Sequence, residues 1–465
     1  MDPTAFTTTQ ADIVEAYRRD YDVPGVAVAI VRDNRIIAEG GFGKANLDSG
    51  AAPTAHTAWP IASVTKSFTC VAAMQCVESG LADLDTPVRR YLPDLLVADE
   101  ETSLALTLRR LLTHTSGLGR TGHQDRTREE PVNPFPTRPA LVSALHDVRP
   151  QAPVGQCFSY SNESYTIAGH VIETVRGMPL EDCFQQLIFD RLGMRNTVPR
   201  FRDWREAQDR AVLYAGSNIG PYGSGQQHDG YQIVELVEDY QTFLSTGGIA
   251  STAHDLALYQ IASMSYLDSP LGLSGAALRH MQSAQHLYGD SGFGYGLGYW
   301  VMPSASGYAI GHSGGLPGVS TYSLMLPEER TGVVVLTNRS DIKAMILAER
   351  LASDLRGPIW RQETSDPMPV SSAWAAPDQT ALAEFVGGYR FRRGPATVSA
   401  GATGVIIETP SRYDGPTVRL ETRRVARDRF VCLNDGHVVD FVRDADDQVS
   451  AFLHSGYRYT RDEVA

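Results

Sequence analysis

Apolar and polar positions change their spacing several times along this chain, and each change predicts an element. From about Gln10 to Tyr21 the apolar residues recur at helical intervals. Val23 to Gly40 holds two apolar runs, Val-Ala-Val-Ala-Ile-Val and Ile-Ile-Ala, joined at Arg32-Asp33-Asn34-Arg35, which reads as a hairpin. Ser63 opens a long helical stretch whose apolar side is Val64, Phe68, Val71, Ala72 and Val77, with Gly80 as its stop. The middle of the chain alternates helical stretches with Gly- and Pro-rich loops, the longest expected from Gly216 to Gly230. Tyr308–Gly315 and Ser320–Leu326 read as strands, Gly332–Thr337 as a buried strand, and a helix is expected from there to about Leu355.

The texture then shifts. Glu363 to Ser372 reads as a linker, and after about Asp378 the pattern becomes short strands, among them Val405–Thr409, Arg429–Leu433, Val438–Val442 and Val449–Leu453, with a turn at Asn434-Asp435-Gly436. Such strands packed into under about 100 residues suggest a small antiparallel barrel. A length of 465 residues also exceeds one ordinary core. The expected division is residues 1–362, a linker at 363–377 and a barrel at 378–465.

Charge and cysteine usage narrow the function. A formal net charge of −13 argues against a nucleic-acid or anionic-membrane surface. No apolar run approaches a membrane span, and the N-terminus lacks the basic and apolar regions of a secretory signal, so a cytoplasmic protein is expected. The five cysteines are odd in number and contain no CxxC pair, which fits reduced buried thiols and offers neither a disulfide frame nor a zinc site. No metal and no cofactor is expected.

Only three lysines occur, Lys44, Lys66 and Lys343, in a chain that otherwise uses arginine. One of them stands three residues after Ser63. A serine hydroxyl needs a base to become a nucleophile, and a buried lysine can serve where arginine cannot lose its proton. Three residues place both side chains on nearly one helix face, beside the unpaired N–H groups of the helix start. Alone the pattern is weak: Ser340-Asp341-Ile342-Lys343 repeats it, and there a serine capping the next helix, with a surface lysine, accounts for it; Ser63 taken alone fits a cap as well.

Two further groups add weight. In Tyr160-Ser161-Asn162, a phenolate can act as base and an amide can hold a carbonyl, although a turn tyrosine and a capping asparagine fit the same residues. His312-Ser313-Gly314-Gly315 ends a predicted strand, where glycines allow backbone to approach a ligand. His228-Asp229-Gly230 and His454-Ser455-Gly456 share part of its form without that setting.

Taken in order, Ser63-Val64-Thr65-Lys66, Tyr160-Ser161-Asn162 and His312-Ser313-Gly314 resemble the serine β-lactamase and penicillin-binding-protein superfamily. Leu111–Leu118, Gly247–Ala253 and Tyr295–Tyr299 are similar to it too, so that the likeness covers roughly residues 10 to 360. The resemblance implies an α/β (α+β) domain with an antiparallel sheet flanked by helices, plus a small C-terminal all-β, lipocalin-like barrel. It implies Ser63 as nucleophile, Lys66, kept neutral by burial, and Tyr160 as proton relay, Asn162 and His312 as groups that hold the substrate or orient the tyrosine, and the N–H groups of Ser63 and Gly315 as oxyanion hole. Gly314, Arg458 and Arg461 are expected to touch substrate. The usual Lys-Thr-Gly motif is absent, which resembles the class C-like esterases, D-aminopeptidases and peptide cyclases more than penicillin-hydrolysing enzymes. With its barrel, the chain is most similar to penicillin-binding-protein-type thioesterases, which implies a peptidyl thioester delivered by a carrier protein of a nonribosomal peptide synthetase and closed head to tail. The alternatives are a D-stereospecific aminopeptidase, amidase or esterase, and a non-catalytic binding protein on the same fold.

Overall fold

The Gly25–Arg32 strand explains the architecture of the larger domain. Its residues are buried from Gly25 to Val31, yet they divide between two cores by parity. Val26, Val28 and Ile30 enter one apolar cluster, and Ala27, Ala29 and Val31 enter another. A strand covered on both faces needs a continuous apolar run, which is what the sequence supplies. Val333 and Val335 against Val334 and Leu336 divide in the same way on the Thr331–Thr337 strand.

The computed structural model describes residues 5–97, 99–119, 135, 137–148, 150–215, 223–228, 231–236, 241–287, 293–340, 342–359, 379–391, 394–409, 418–432, 438–444, 446–454 and 457–462. An antiparallel eight-stranded sheet runs in the order Arg35–Gly43, Gly25–Arg32, Thr331–Thr337, Val319–Leu326, Gly307–Leu316, Trp300–Ser304, Gly294–Tyr295 and His286–Leu287. The terminal helices of the domain, Thr8–Asp20 and Ala344–Arg356, cover one face through Val14, Tyr17, Leu347 and Leu351. On the other face lie the helices Thr65–Glu78, Asn162–Arg176 and Ala253–Ser263, which share one core.

Local chemistry sets the ends of these elements. Thr7 and Gln10 form a reciprocal capping box on the first helix. The hairpin turns on Asp33 and Asn34, at φ 50° and 59°, the pair of positive values that a two-residue turn requires. Two expectations fail. Ser340 does not cap the last helix: that helix starts at Ala344, whose N–H finds the Ser320 hydroxyl of a neighbouring strand at 3.3 Å. Part of the expected Gly216–Gly230 loop is a strand, Gly223–His228, paired with Tyr231–Val234; residues 216–222 and 229–230 lie outside the described residues.

Eight consecutive strands from Gly387–Phe391 to Tyr457–Arg461 close into a barrel, the last pairing with the first at Tyr389↔Arg461. A 3₁₀ turn, Gln379–Phe385, inserts Leu382 and Phe385 into it. Phe385, Phe430, Phe441 and Phe452 fill the interior, with Phe385 and Phe441 ring centres 4.7 Å apart. The mixed β-lactamase-like domain followed by an all-β barrel agrees with the fold class expected from the sequence. The expected linker, and the Asn434-Asp435-Gly436 turn, lie outside the described residues. Val442 of the barrel packs on Ala152 and Cys157 of the larger domain. Among the described residues no helix is long and apolar enough to cross a membrane.

Candidate active site

Ser63 does not sit on the long helix itself. It lies in a tight 3₁₀ turn, Ala62–Val64, that leads into Thr65–Glu78. Ala62 holds φ at 48°, a left-handed value that costs a non-glycine residue about a kcal/mol or more. Several contacts hold this strain. The Ile61 N–H donates to the Ile249 carbonyl at 3.0 Å, the Thr321 hydroxyl donates to the Ile61 carbonyl at 3.0 Å, and the Ile249 N–H donates to the Thr65 hydroxyl at 3.3 Å. The serine that results is half-buried.

One turn later Lys66 is completely buried. Its Nζ lies 3.2 Å from Ser63 Oγ and donates to Asn162 Oδ1 at 2.9 Å and to the Thr246 carbonyl at 2.8 Å. Asn162 is the first residue of its helix, and Ser161 is the cap, accepting from the Ser164 N–H. Thr246 lies in the last turn of the short helix Gln241–Gly247, so its carbonyl is one that the helix leaves unused. Sequence reasoning missed Thr246, because a backbone acceptor carries no residue signature.

Two tyrosine rings flank the ammonium position, Tyr160 at 4.8 Å and Tyr165 at 5.3 Å from Nζ to ring centre. Tyr165 donates its hydroxyl to the Leu112 carbonyl at 2.7 Å, and burial raises its pKa well above the ordinary value. Cys70, 3.5 Å from Tyr165 Oη, is pushed up to about 12 by burial and stays a thiol. Of the two rings, Tyr165 is thereby committed to the Leu112 carbonyl.

Tyr160 is held by an aromatic box. The His114 ring packs on it at a tilt of 31°, with ring centres 4.1 Å apart, and also meets Phe158, Tyr165 and Tyr295. His114 Nδ1 accepts from the Ser161 N–H at 3.0 Å, which ties the box to the segment carrying Asn162. His114 appeared in the sequence only within a family-like stretch, with no role attached. His312, from the Gly307–Leu316 strand, joins the far side of the box. Its Nδ1 lies 2.6 Å from the Ser313 carbonyl, which can only accept, so Nδ1 carries the proton; Nε2, 3.0 Å from Tyr295 Oη, is left to accept. His312 is thus placed on Tyr295, with its ring centre 6.3 Å from that of Tyr160.

The glycines of the same strand do different things. A β-carbon at Gly314 would overlap the Ile61 carbonyl and the Thr321 hydroxyl, so Gly314 lets the strand lie against the nucleophile turn. This is a packing role where substrate contact was expected. A β-carbon at Gly315 would meet open space, which leaves that side of the strand clear beside Ser63. Gly298, at φ 81°, makes a third close approach: a β-carbon there would come within 2.8 Å of Ser67 Cα.

The arginines separate from the site. Arg461 donates to the carbonyls of Glu384, Val449 and Val386, which fastens the last strand of the barrel to its entry turn. Its guanidinium is committed within the barrel, in place of the expected contact with substrate. The Arg458 side chain lies outside the described residues.

A family model described as Beta-lactamase matches residues 11–355. The chain belongs to the beta-lactamase family. This family member is 27% identical to penicillin-binding protein 4 of Amycolatopsis lactamdurans, over 70% of this chain and 83% of that protein. It is 26% identical to a D-aminopeptidase of Cereibacter sphaeroides, over 82% of this chain and 70% of that one, and 26% identical to unguisins hydrolase ungD of Aspergillus violaceofuscus, over 75% and 64%. Among solved structures, SurE with D-Leu superposes with a TM-score of 0.69 at 21% identity, covering 98% of this chain and 99% of that one. The octameric penicillin-binding protein homologue from Pyrococcus abyssi superposes with a TM-score of 0.65 at 24% identity, covering 97% and 99%. Like these structures, the beta-lactamase-family chain described here has its fold matched across the barrel as well as the larger domain.

Proposed function

We propose that this member of a serine acyl-transfer and hydrolase family is a peptide cyclase. It takes a peptidyl thioester from a carrier protein onto Ser63 and releases it as a head-to-tail macrolactam. The observation that carries the acyl-transfer step is the buried Lys66 Nζ, 3.2 Å from Ser63 Oγ. Two of its contacts, the Asn162 and Thr246 carbonyl oxygens, can only accept. A neutral amine donates its two protons to them and turns its lone pair toward the Ser63 hydroxyl, the arrangement of a general base.

Ser63 Oγ attacks the thioester carbonyl and its proton passes to Lys66. The backbone N–H groups of Ser63 and Gly315 hold the oxyanion, each such donor lowering the barrier by about 3–4 kcal/mol. The thiol leaves with a proton returned through Lys66 and Tyr160. The peptide's own N-terminal amine then attacks the ester, giving up its proton along the same path, and Ser63 is regenerated.

Three features support this substrate. The strand beside Ser63 carries His312-Ser313-Gly314 in place of Lys-Thr-Gly. A D-aminopeptidase is among the relatives and a fold neighbour holds D-Leu, which favours a D-residue at the acyl position. The barrel packs through Val442 on Ala152 and Cys157, in the segment that leads to Tyr160, and in this reading it helps to keep competing water from the acyl-enzyme.

Hydrolysis is the second reading, favoured by the D-aminopeptidase and unguisins hydrolase relatives. Mass spectrometry of products from a peptidyl thioester ending in a D-residue separates the two. Loss of the thiol alone means ring closure; loss of the thiol with gain of one water means hydrolysis. Full turnover by Ser63→Ala would falsify both.

A further inference from the structure

Glu39, His56 and His254 are distant in sequence and meet in one partly exposed cluster. We infer that they form a binding site for a divalent transition-metal ion of the zinc class. One ligand atom from each lies within 4.8 Å of the other two. His254 Nδ1 is 2.8 Å from Glu39 Oε2, and the His56 and His254 rings are centred 4.7 Å apart. Two zinc ligands at bonds of about 2.0–2.1 Å stand about 3.3 Å apart in a tetrahedron, so small side-chain rotations close the set around one ion. Two imidazoles and a carboxylate suit zinc, with water as the fourth ligand. An ion pair between His254 and Glu39 explains their contact, but it leaves the second imidazole, His56, without a reason to stack there.

The placement gives such an ion a structural effect. Trp59 and Pro60 pair with Ser251 and Ala250, and the Ile61 N–H continues the ladder to Ile249. Carried outward by the same register, this pairing sets His56 opposite His254, where the His254 N–H donates to the Ala55 carbonyl at 3.1 Å. Inward, the same two segments supply Ile61 to the Ser63 turn and the Thr246 carbonyl to Lys66. An ion at the outer end cross-links the segments that frame the nucleophile and ties both to the Arg35–Gly43 edge strand through Glu39.

Full-length protein stripped with a chelator is titrated with Zn²⁺ by calorimetry and with Co²⁺ by visible absorption. The expected result is one Zn²⁺ per chain, a Co²⁺ spectrum of four-coordinate intensity, and affinity at least about tenfold weaker in Glu39→Gln and His254→Ala. His56→Gln, at an exposed position, carries the same test if His254→Ala fails to fold. No uptake of Zn²⁺, or uptake unchanged in Glu39→Gln and His56→Gln, overturns the site.

Discussion

Gly314 stands against Ile61 so closely that a β-carbon on one would overlap the carbonyl oxygen of the other. The strand carrying His312 and the turn carrying Ser63 are therefore held at backbone contact. Gly314→Ala is expected to force them apart, costing about 1–3 kcal/mol and at least about a hundredfold in acylation. Gly315→Ala, pointing into open space, is expected to leave stability within about 0.5 kcal/mol. Thermal unfolding and the rate of Ser63 labelling by an acylating probe check both. Equal behaviour of the two variants would remove the packing role assigned to Gly314.

Lys66→Arg replaces an amine that can give up its proton with a guanidinium that cannot, and it places a larger head in a fully buried site. Acylation is expected to fall by about 10²–10⁴, the usual contribution of a general base. Single-turnover labelling of Ser63 reads this directly. A variant that acylates at the original rate would take Lys66 out of the proton path.

His114 acts on Tyr160 through ring packing and on the Asn162 segment through the Ser161 N–H. His114→Leu removes that acceptor and leaves a buried N–H unpaired, at a cost of about 1–3 kcal/mol. Turnover is expected to fall with little change in KM, because His114 is completely buried. An altered KM with kcat intact would mean that the residue lines the binding cleft instead.

Arg138, on the Arg138–Ala144 helix, is buried between Glu173 and Glu181 and ion-paired with both. Burial pushes the Glu173 pKa up, but the hydrogen bonds and charge of Arg138, with the nearby His170 and the Leu180 N–H, outweigh it and hold the group down at about 2, against an ordinary 4.5. A lowered carboxylate pKa stabilises the fold fully above the ordinary value and loses that contribution as pH falls through the folded one. Denaturant titrations between pH 5 and pH 2 are expected to show stability falling across that window. Arg138→Met should flatten this slope and cost about 3–5 kcal/mol at neutral pH, since two carboxylates lose their partner. An unchanged slope would show that Glu173 is not the titrating group.

Much of the fold was legible because it rests on local rules. A continuous apolar run marked Gly332–Thr337 as a buried strand, Asp33-Asn34 marked the hairpin turn, and closely spaced short strands with turns marked the barrel. Ser63, Lys66, Tyr160, Asn162 and His312 were named from spacing and resemblance, and the structure gathers them into one site. The sequence by itself determined which residue types were available there, because Ser63 and Lys66 stand only three residues apart. Tertiary structure alone decided what surrounds them. Thr246 offers a backbone carbonyl, His114 arrives from a separate loop, Arg461 turns to the backbone of its own barrel, and Glu39, His56 and His254 converge from three segments. Contacts between residues far apart in the chain depend on how sheet, helices and loops pack, and no spacing along the sequence encodes that distance.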